Sequence, residues 1–306
     1  MSFGRGRGLL SKRKRRGVAV PLHGQRSPEH LVTVGDADLC VTTFGDRRRT
    51  PVVLPSTSGL FWEDEFCDRL AGAGRFVLRY DIRDTGRSTA YPTGSPGYDL
   101  RDLVSDIVGL MDVFGLPRAH LAGFSVAGWI CQLAALDHGD RVSALTLINT
   151  RPTAPGPADP DLPEHSDRIM GFFAATPAPD WSDRAAVIDY RVEQARTFSG
   201  AHGFDEQQAR RQAKHTVDRT TDMGSSVLNL AFVEAGERWR ERLGEITVPT
   251  LVVHGTDDPF FPYGNGQAMA REIPGAELLP LPGIGHELPA STWDPLLAGM
   301  LALQDA

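Results

Sequence analysis

Cysteine is scarce in this chain: three residues in 306, Cys40, Cys67 and Cys131, odd in number and without a C-x-x-C pair. That excludes a disulfide framework and a thiolate metal site, and it favours reduced, buried thiols in a cytoplasmic protein. No apolar run approaches the roughly 18 residues that a membrane helix needs, so no membrane partner is expected. Neither a G-x-G-x-x-G turn nor a phosphate-binding loop occurs, and no His/Cys cluster has metal-ligand spacing; no cofactor and no metal are expected. Acid is missing from residues 1–16, which hold seven Lys and Arg residues. Because the formal net charge of the whole chain is −7, the rest sits near −14. An acidic body of that kind repels nucleic acid. The basic stretch is followed by too short an apolar segment, broken by Pro21, for a secretion signal, and reads as a disordered tail over residues 1–30.

What is present is an alternation of short apolar runs and amphipathic stretches. Leu31–Val34 and Leu39–Phe44 read as a hairpin across Gly35-Asp36. Strands follow over 52–54, 76–80, 119–122 and 144–148, separated by helical periodicity over 63–71, 100–114 and 126–136. Strand character returns over 249–253 and 277–279, and a last helix fits 293–303. Such alternation predicts a mostly parallel sheet flanked by helices, since parallel neighbours need crossover helices. The rhythm breaks at residue 151. From there to 240 no strand is evident, and polar helical sequence carries Phe172, Phe173, Trp181, Tyr190, Phe198, Phe232 and Trp239. The expected organisation is therefore a core made of residues 31–150 and 241–306, with a helical cap, 151–240, inserted into it.

One segment carries chemistry on its face. Gly123-Phe124-Ser125-Val126-Ala127 lies between the apolar run 119–122 and the helix that follows. A serine in so tight a strand-to-helix turn must hold a strained backbone, and only small residues fit two positions either side. Gly123 and Ala127 meet that demand, although the strict motif has glycine where Ala127 stands. A hydroxyl is a poor nucleophile until a base takes its proton. Of nine histidines, His286 fits best, in a glycine-flanked loop after a strand and before the final helix; the others fall in tail, cap or strand positions that suit packing or solvation. An acid must hold the imidazole in its working tautomer. The loop after the strand 249–253 offers two adjacent candidates, Asp257 and Asp258. The oxyanion of an acyl-transfer intermediate needs two N–H donors. Val126 supplies one, and the loop 55–59 the other, with Thr57 the first choice and Ser56 the second.

These residues resemble the α/β-hydrolase family, and within it the aclacinomycin (anthracycline) methylesterase group. The likeness is carried by Arg79-Tyr80-Asp81-Ile82-Arg83-Asp84-Thr85-Gly86-Arg87-Ser88-Thr89. It continues through Ala135-Leu136-Asp137-His138, Leu145-Thr146 and Val248-Pro249-Thr250-Leu251, and spans residues 31–304. It implies the α/β-hydrolase fold, the chain order serine, acid, histidine, and a spacing Gly255-x-x-Asp258-x-x-x-Pro262 that selects Asp258. Ser125, Asp258 and His286 then take the triad roles, and Thr57 with Val126 the oxyanion roles. Relatives carry His-Gly where Pro55-Ser56 stand. Phe61, Trp62 and Phe124 are expected to border the substrate pocket, and the segment 81–88 to brace the strand ends.

The function implied is hydrolysis of a methyl ester or lactone of a bulky apolar small molecule through an acyl-enzyme, in polyketide antibiotic tailoring. Two other classes stay open from sequence: a cyclase, lyase or cofactor-free perhydrolase using the same triad, and a non-catalytic ligand-binding relative. Between monomer and homo-oligomer the sequence makes no choice.

Overall fold

The computed structural model describes residues 26–56, 61–153 and 159–303. Eight strands form one sheet in the order β1-β2-β4-β3-β5-β6-β7-β8. They are β1 (His30–Val34), β2 (Ala37–Phe44), β3 (Thr50–Ser56), β4 (Arg75–Asp81), β5 (Ala119–Phe124), β6 (Val142–Ile148), β7 (Thr250–Gly255) and β8 (Glu277–Leu281). The hairpin β1–β2 and the pair β2–β4 are antiparallel; every other pairing is parallel. A mostly parallel sheet with flanking helices was the expected architecture. The folded part reaches further toward the N-terminus than the boundary at residue 31, because Ser27 is buried and exchanges two hydrogen bonds with Thr43. The basic stretch before it lies outside the described residues.

Strand alternation divides the core between two faces. Val53, Phe76, Leu78, Leu121 and Val252 meet α2 (Leu100–Phe114) and α3 (Val126–Asp137) on one face. Val52, Leu54, Val77, Ala122 and Val253 meet α1 (Asp64–Gly72) and a C-terminal helix, Trp293–Ala302, on the other. The start of α2 is fixed by a capping box between Asp99 and Asp102, and its end by Gly115 in the left-handed region at φ 62°, where glycine carries no Cβ penalty.

Between β6 and β7 the described residues contribute helices only: α4 (Asp167–Ala175), α5 (Arg184–Phe198), α6 (Glu206–Arg219) and α7 (Met223–Leu228). The aromatics read from sequence in this stretch divide. Trp239 is packed into the core beside Trp129, whereas Phe173 and Phe232 are exposed. One helix escaped the sequence reading, α8 (Gly264–Glu272), the crossover between β7 and β8. Its sequence, GNGQAMARE, has two glycines and few apolar residues, so both propensity and periodicity are weak there. The C-terminal helix is α9. No described helix is long and apolar enough to cross a membrane.

The segment after β4 braces the strand ends, as the resemblance implied. Arg83 makes a two-pronged contact with Asp106 on α2, both buried. Asp84 accepts from Tyr91 N–H, the Tyr98 hydroxyl and the Asn229 amide, and Thr85 and Ser88 hydrogen bond back to the ends of β3 and β4.

Candidate active site

Ser125 sits at the C-terminal end of β5, where the sheet hands over to α3. Its backbone holds φ 55° and ψ −124°, a region that costs a non-glycine residue about 1–3 kcal/mol. The turn is enforced by packing. A Cβ on Gly123 would stand 2.3 Å from the Ala127 carbonyl oxygen, and one on Gly128 2.6 Å from the Thr150 side chain. The Ser125 N–H is tied to the Ile148 carbonyl at 2.9 Å, which fixes the turn against β6.

The structure brings three of the sequence-chosen residues into one line. Nε2 of His286 lies 2.9 Å from Ser125 Oγ, and Nδ1 lies 2.8 Å from Asp258 Oδ2. A carboxylate only accepts, so Nδ1 carries the proton and Nε2 is free to accept from the serine hydroxyl. The other carboxylate oxygen, Asp258 Oδ1, accepts from the backbone N–H groups of Phe260 and Phe261, both at 2.8 Å. With its lone pairs so occupied, the buried carboxylate is held in one orientation. Asp257, the competing candidate, points elsewhere: it is exposed and accepts from Ala201 N–H at 3.2 Å.

Asn149 and the Phe198 carbonyl, which sequence reasoning did not single out, and a glycine of the His286 loop hold these groups in place. Asn149, just past β6, adopts φ 43°, a conformation asparagine tolerates better than most residues. Its amide nitrogen donates to Gly285 O at 2.8 Å, and its oxygen accepts from Gly255 N–H at 2.8 Å, so one side chain ties the histidine loop to the strand leading to the acid. His286 N–H donates to Phe198 O at 2.8 Å. A Cβ on Gly285 would stand 2.3 Å from that same carbonyl, so the glycine before the histidine permits the close approach. The only sequence signals were an asparagine ending a strand and the glycines around His286.

His254 lies under the acid, with Nε2 donating to Phe261 O at 2.7 Å and passing 3.8 Å from Asp258 Oδ2. Burial pushes it below the ordinary histidine value, against the pull of Asp258. It is therefore neutral, and the charge of Asp258 is left to His286.

The rings around the imidazole form an aromatic wall. Phe124, Phe260, Phe261 and Phe198 have ring centres 4.8, 4.9, 5.5 and 5.7 Å from that of His286. Phe61 packs on Phe124 at 4.1 Å. Trp62 is one ring further out, fully buried against Phe61 and Phe66, with its indole N–H on the Pro55 carbonyl. Phe260 and Phe261 were not named from sequence, and Phe198 only as one of the cap aromatics, because nothing in a linear pattern separates them from core packing. Val126 opens the first turn of α3, where backbone N–H groups lack intrahelical partners. Thr57 lies outside the described residues; Ser56 is buried at the end of β3.

Similarity to known proteins places the fold. The sequence profile of the alpha/beta hydrolase fold matches residues 54–290. Rhodomycin D methylesterase DauP of Streptomyces sp. (strain C5) is 29% identical over 291 residues, covering 90% of this chain and 97% of that protein. Rhodomycin D methylesterase DnrP of Streptomyces peucetius is 29% identical over 295 residues with the same coverage. Among solved structures, a hydrolase from Pseudomonas aeruginosa PA01 superposes with a TM-score of 0.68 at 24% identity, over 90% of this chain and 97% of that one.

Proposed function

The chain belongs to the α/β-hydrolase fold family, and from that premise we propose that it is a carboxylic ester hydrolase with Ser125 as nucleophile, His286 as base and Asp258 as the orienting acid. The observation that carries this reading is the unbroken hydrogen-bonded line from Ser125 Oγ through His286 to Asp258, at 2.9 and 2.8 Å. Ser125 Oγ attacks the ester carbonyl carbon while its proton passes to His286 Nε2. The carbonyl π pair moves onto oxygen, where Val126 N–H and a second donor from the loop 55–59, Thr57, receive the charge; one such donor is worth about 3–4 kcal/mol. The intermediate collapses to an acyl-enzyme, and the alcohol departs with the proton held by His286. Water then gives a proton to His286, adds to the acyl carbon, and the carboxylic acid leaves as Ser125 regains its proton.

The substrate is a methyl ester of a flat, bulky small molecule, and the setting is polyketide antibiotic tailoring. Two features support this: the rhodomycin D methylesterases match across 90% of the chain, and the imidazole is surrounded by phenyl rings, whose faces suit a polycyclic ligand. The helices α4–α7 are the cap over this site, held to the core by contacts such as His286 N–H to Phe198 O. Methanol release from aromatic polyketide methyl esters tests the reading. Wild-type protein releases methanol, and Ser125→Ala and His286→Ala each lower the rate by several orders of magnitude, since triad members act as a unit. Near-normal release by either variant overturns it.

A further inference from the structure

Two members of the triad have an acid as their neighbour in sequence: Asp257 precedes Asp258, and Glu287 follows His286. Both carboxylates turn to the same place. Glu287 Oε1 accepts from Gly200 N–H at 3.1 Å, and Asp257 Oδ2 accepts from Ala201 N–H at 3.2 Å. Gly200 and Ala201 are consecutive residues of the connection between α5 and α6, so the acid's loop and the histidine's loop grip adjacent amides of one segment.

That segment, residues 198–202, runs antiparallel to the histidine loop. Phe198 O accepts from His286 N–H at 2.8 Å, and His202 N–H donates to Gly283 O at 2.9 Å. The two backbones lie too close for a side chain between them: a Cβ on Gly200 would stand 2.2 Å from Gly283 O and 2.5 Å from Gly285 N. All four bonds use backbone groups of the segment, and the two carboxylates take the N–H groups that lie between the ends of the backbone ladder. Glu287 is half-buried. Burial pushes its carboxyl above the ordinary glutamate value, and the N–H groups of Gly200 and Gly285 pull it back, ahead of the charges of His202 and Arg168. A desolvated carboxylate is costly unless it is bonded, and here backbone amides are its main compensation.

The base is thereby held from two sides. Asn149 fixes its loop to the sheet through Gly285 O at 2.8 Å, and Phe198 O fixes the backbone N–H of His286 itself. Asp257 N–H donates to Ile284 O at 3.0 Å, which closes the unit between the acid's loop and the histidine's. We propose that Glu287 and Asp257 are positioning residues, which latch the segment 198–202 against the triad and so keep Phe198 O where it sets the place of His286. This rests on the reading of His286 as the base that activates Ser125, and it adds two residues that act through that base.

Hydrogen exchange of the Gly200 and Ala201 amides, read by NMR on the full chain, tests the latch without reference to turnover. Both amides are protected in wild-type protein. In Glu287→Ala, Gly200 exchanges about tenfold faster or more, while kcat for methyl esters and the rate of Ser125 labelling by a fluorophosphonate fall together by about ten- to hundredfold, the loss that a misplacement of about 1 Å brings. Glu287→Gln, which keeps an oxygen for Gly200 N–H, restores exchange and labelling to within about threefold of wild type. Asp257 is exposed, so Asp257→Ala leaves the core intact and carries the test on its own: Ala201 exchanges faster, and labelling slows by about three- to tenfold. Unchanged exchange in both alanine variants, faster exchange with labelling at the wild-type rate, or a Glu287→Gln no better than Glu287→Ala rejects the latch, and methyl ester turnover by the wild type then leaves the hydrolase reading standing. The expected exchange and labelling without turnover of any methyl ester keeps the latch and rejects the hydrolase reading.

Discussion

Arg219, the last residue of α6, places Nη1 2.7 Å from Oδ2 of Asp81 at the end of β4, and both side chains are shut away from solvent. The same guanidinium donates from Nε to Glu29 at 2.7 Å. One arginine therefore joins the helices between β6 and β7 to the sheet and to the N-terminal edge. Removing one partner of a buried pair leaves an unpaired charge and costs about 3–5 kcal/mol, which is the loss expected of Arg219→Met in urea unfolding at pH 8.

That loss depends on pH with a definite sign. Burial pushes the Asp81 carboxyl above its ordinary value, and Arg219 is the strongest influence pulling it back. Without Arg219 the folded-state value rises further. A carboxyl raised on folding binds its proton more tightly in the folded state, so its contribution is most favourable at low pH and is lost as pH rises through the folded value. The deficit of Arg219→Met is expected to shrink from pH 8 to pH 5. A deficit that grows on acidification contradicts the assignment of the buried charge to Asp81.

His254 gives the opposite slope. Burial lowers its folded-state value below 6.5, so the unfolded chain takes up a proton first as pH falls. Stability from this residue is complete above about pH 6.5 and is lost as pH drops below it, by up to about 1.4 kcal/mol per pH unit. His254→Gln, whose amide can still donate to Phe261 O, is expected to flatten the fall in stability between pH 7 and pH 5. An unaltered slope means that His254 is protonated in the folded protein.

The elbow predicts an asymmetry between its two small positions. Gly123→Ala forces a Cβ against backbone at 2.3 Å and is expected to abolish esterase activity or soluble expression. Ala127→Gly introduces no clash and costs the helix propensity of glycine, about 1 kcal/mol, together with about 0.8 kcal/mol for the one buried methyl it removes. Comparable damage from both substitutions, read by thermal unfolding and ester turnover, would show that the turn is not packed as described.

All three cysteines are buried, and burial pushes the thiols of Cys40 and Cys67 up to about 12 and that of Cys131 higher still. The thiolate is the reactive form, so the folded protein is expected to leave a disulfide-exchange dye such as DTNB unreacted until denaturant is added. Rapid reaction of even one equivalent under native conditions runs against it.

The framework of this site was legible because its demands are local. A serine between small residues, at the junction of an apolar run and a helix, can be read from ten consecutive residues, and the glycines around His286 mark a loop that must fold tightly. The choice between Asp257 and Asp258 needed the resemblance, since one residue of register in a loop changes which carboxylate faces the histidine. What escaped was long-range. Asn149 acts on residues more than a hundred positions away, and Phe198 reaches His286 only because a helix outside the sheet folds back over it. Helix α8 was missed for a local reason: its glycines and polar residues give neither period nor propensity.

The central claim is that Ser125 is the nucleophile, made reactive by His286 at 2.9 Å. Its most direct test is to incubate the folded protein with a fluorophosphonate and locate the adduct by mass spectrometry. The expected result is a single adduct on the peptide containing Ser125, absent in Ser125→Ala and formed orders of magnitude more slowly in His286→Ala. Ester hydrolysis by protein that carries no adduct at Ser125, or an adduct at another serine that alone abolishes turnover, would contradict it.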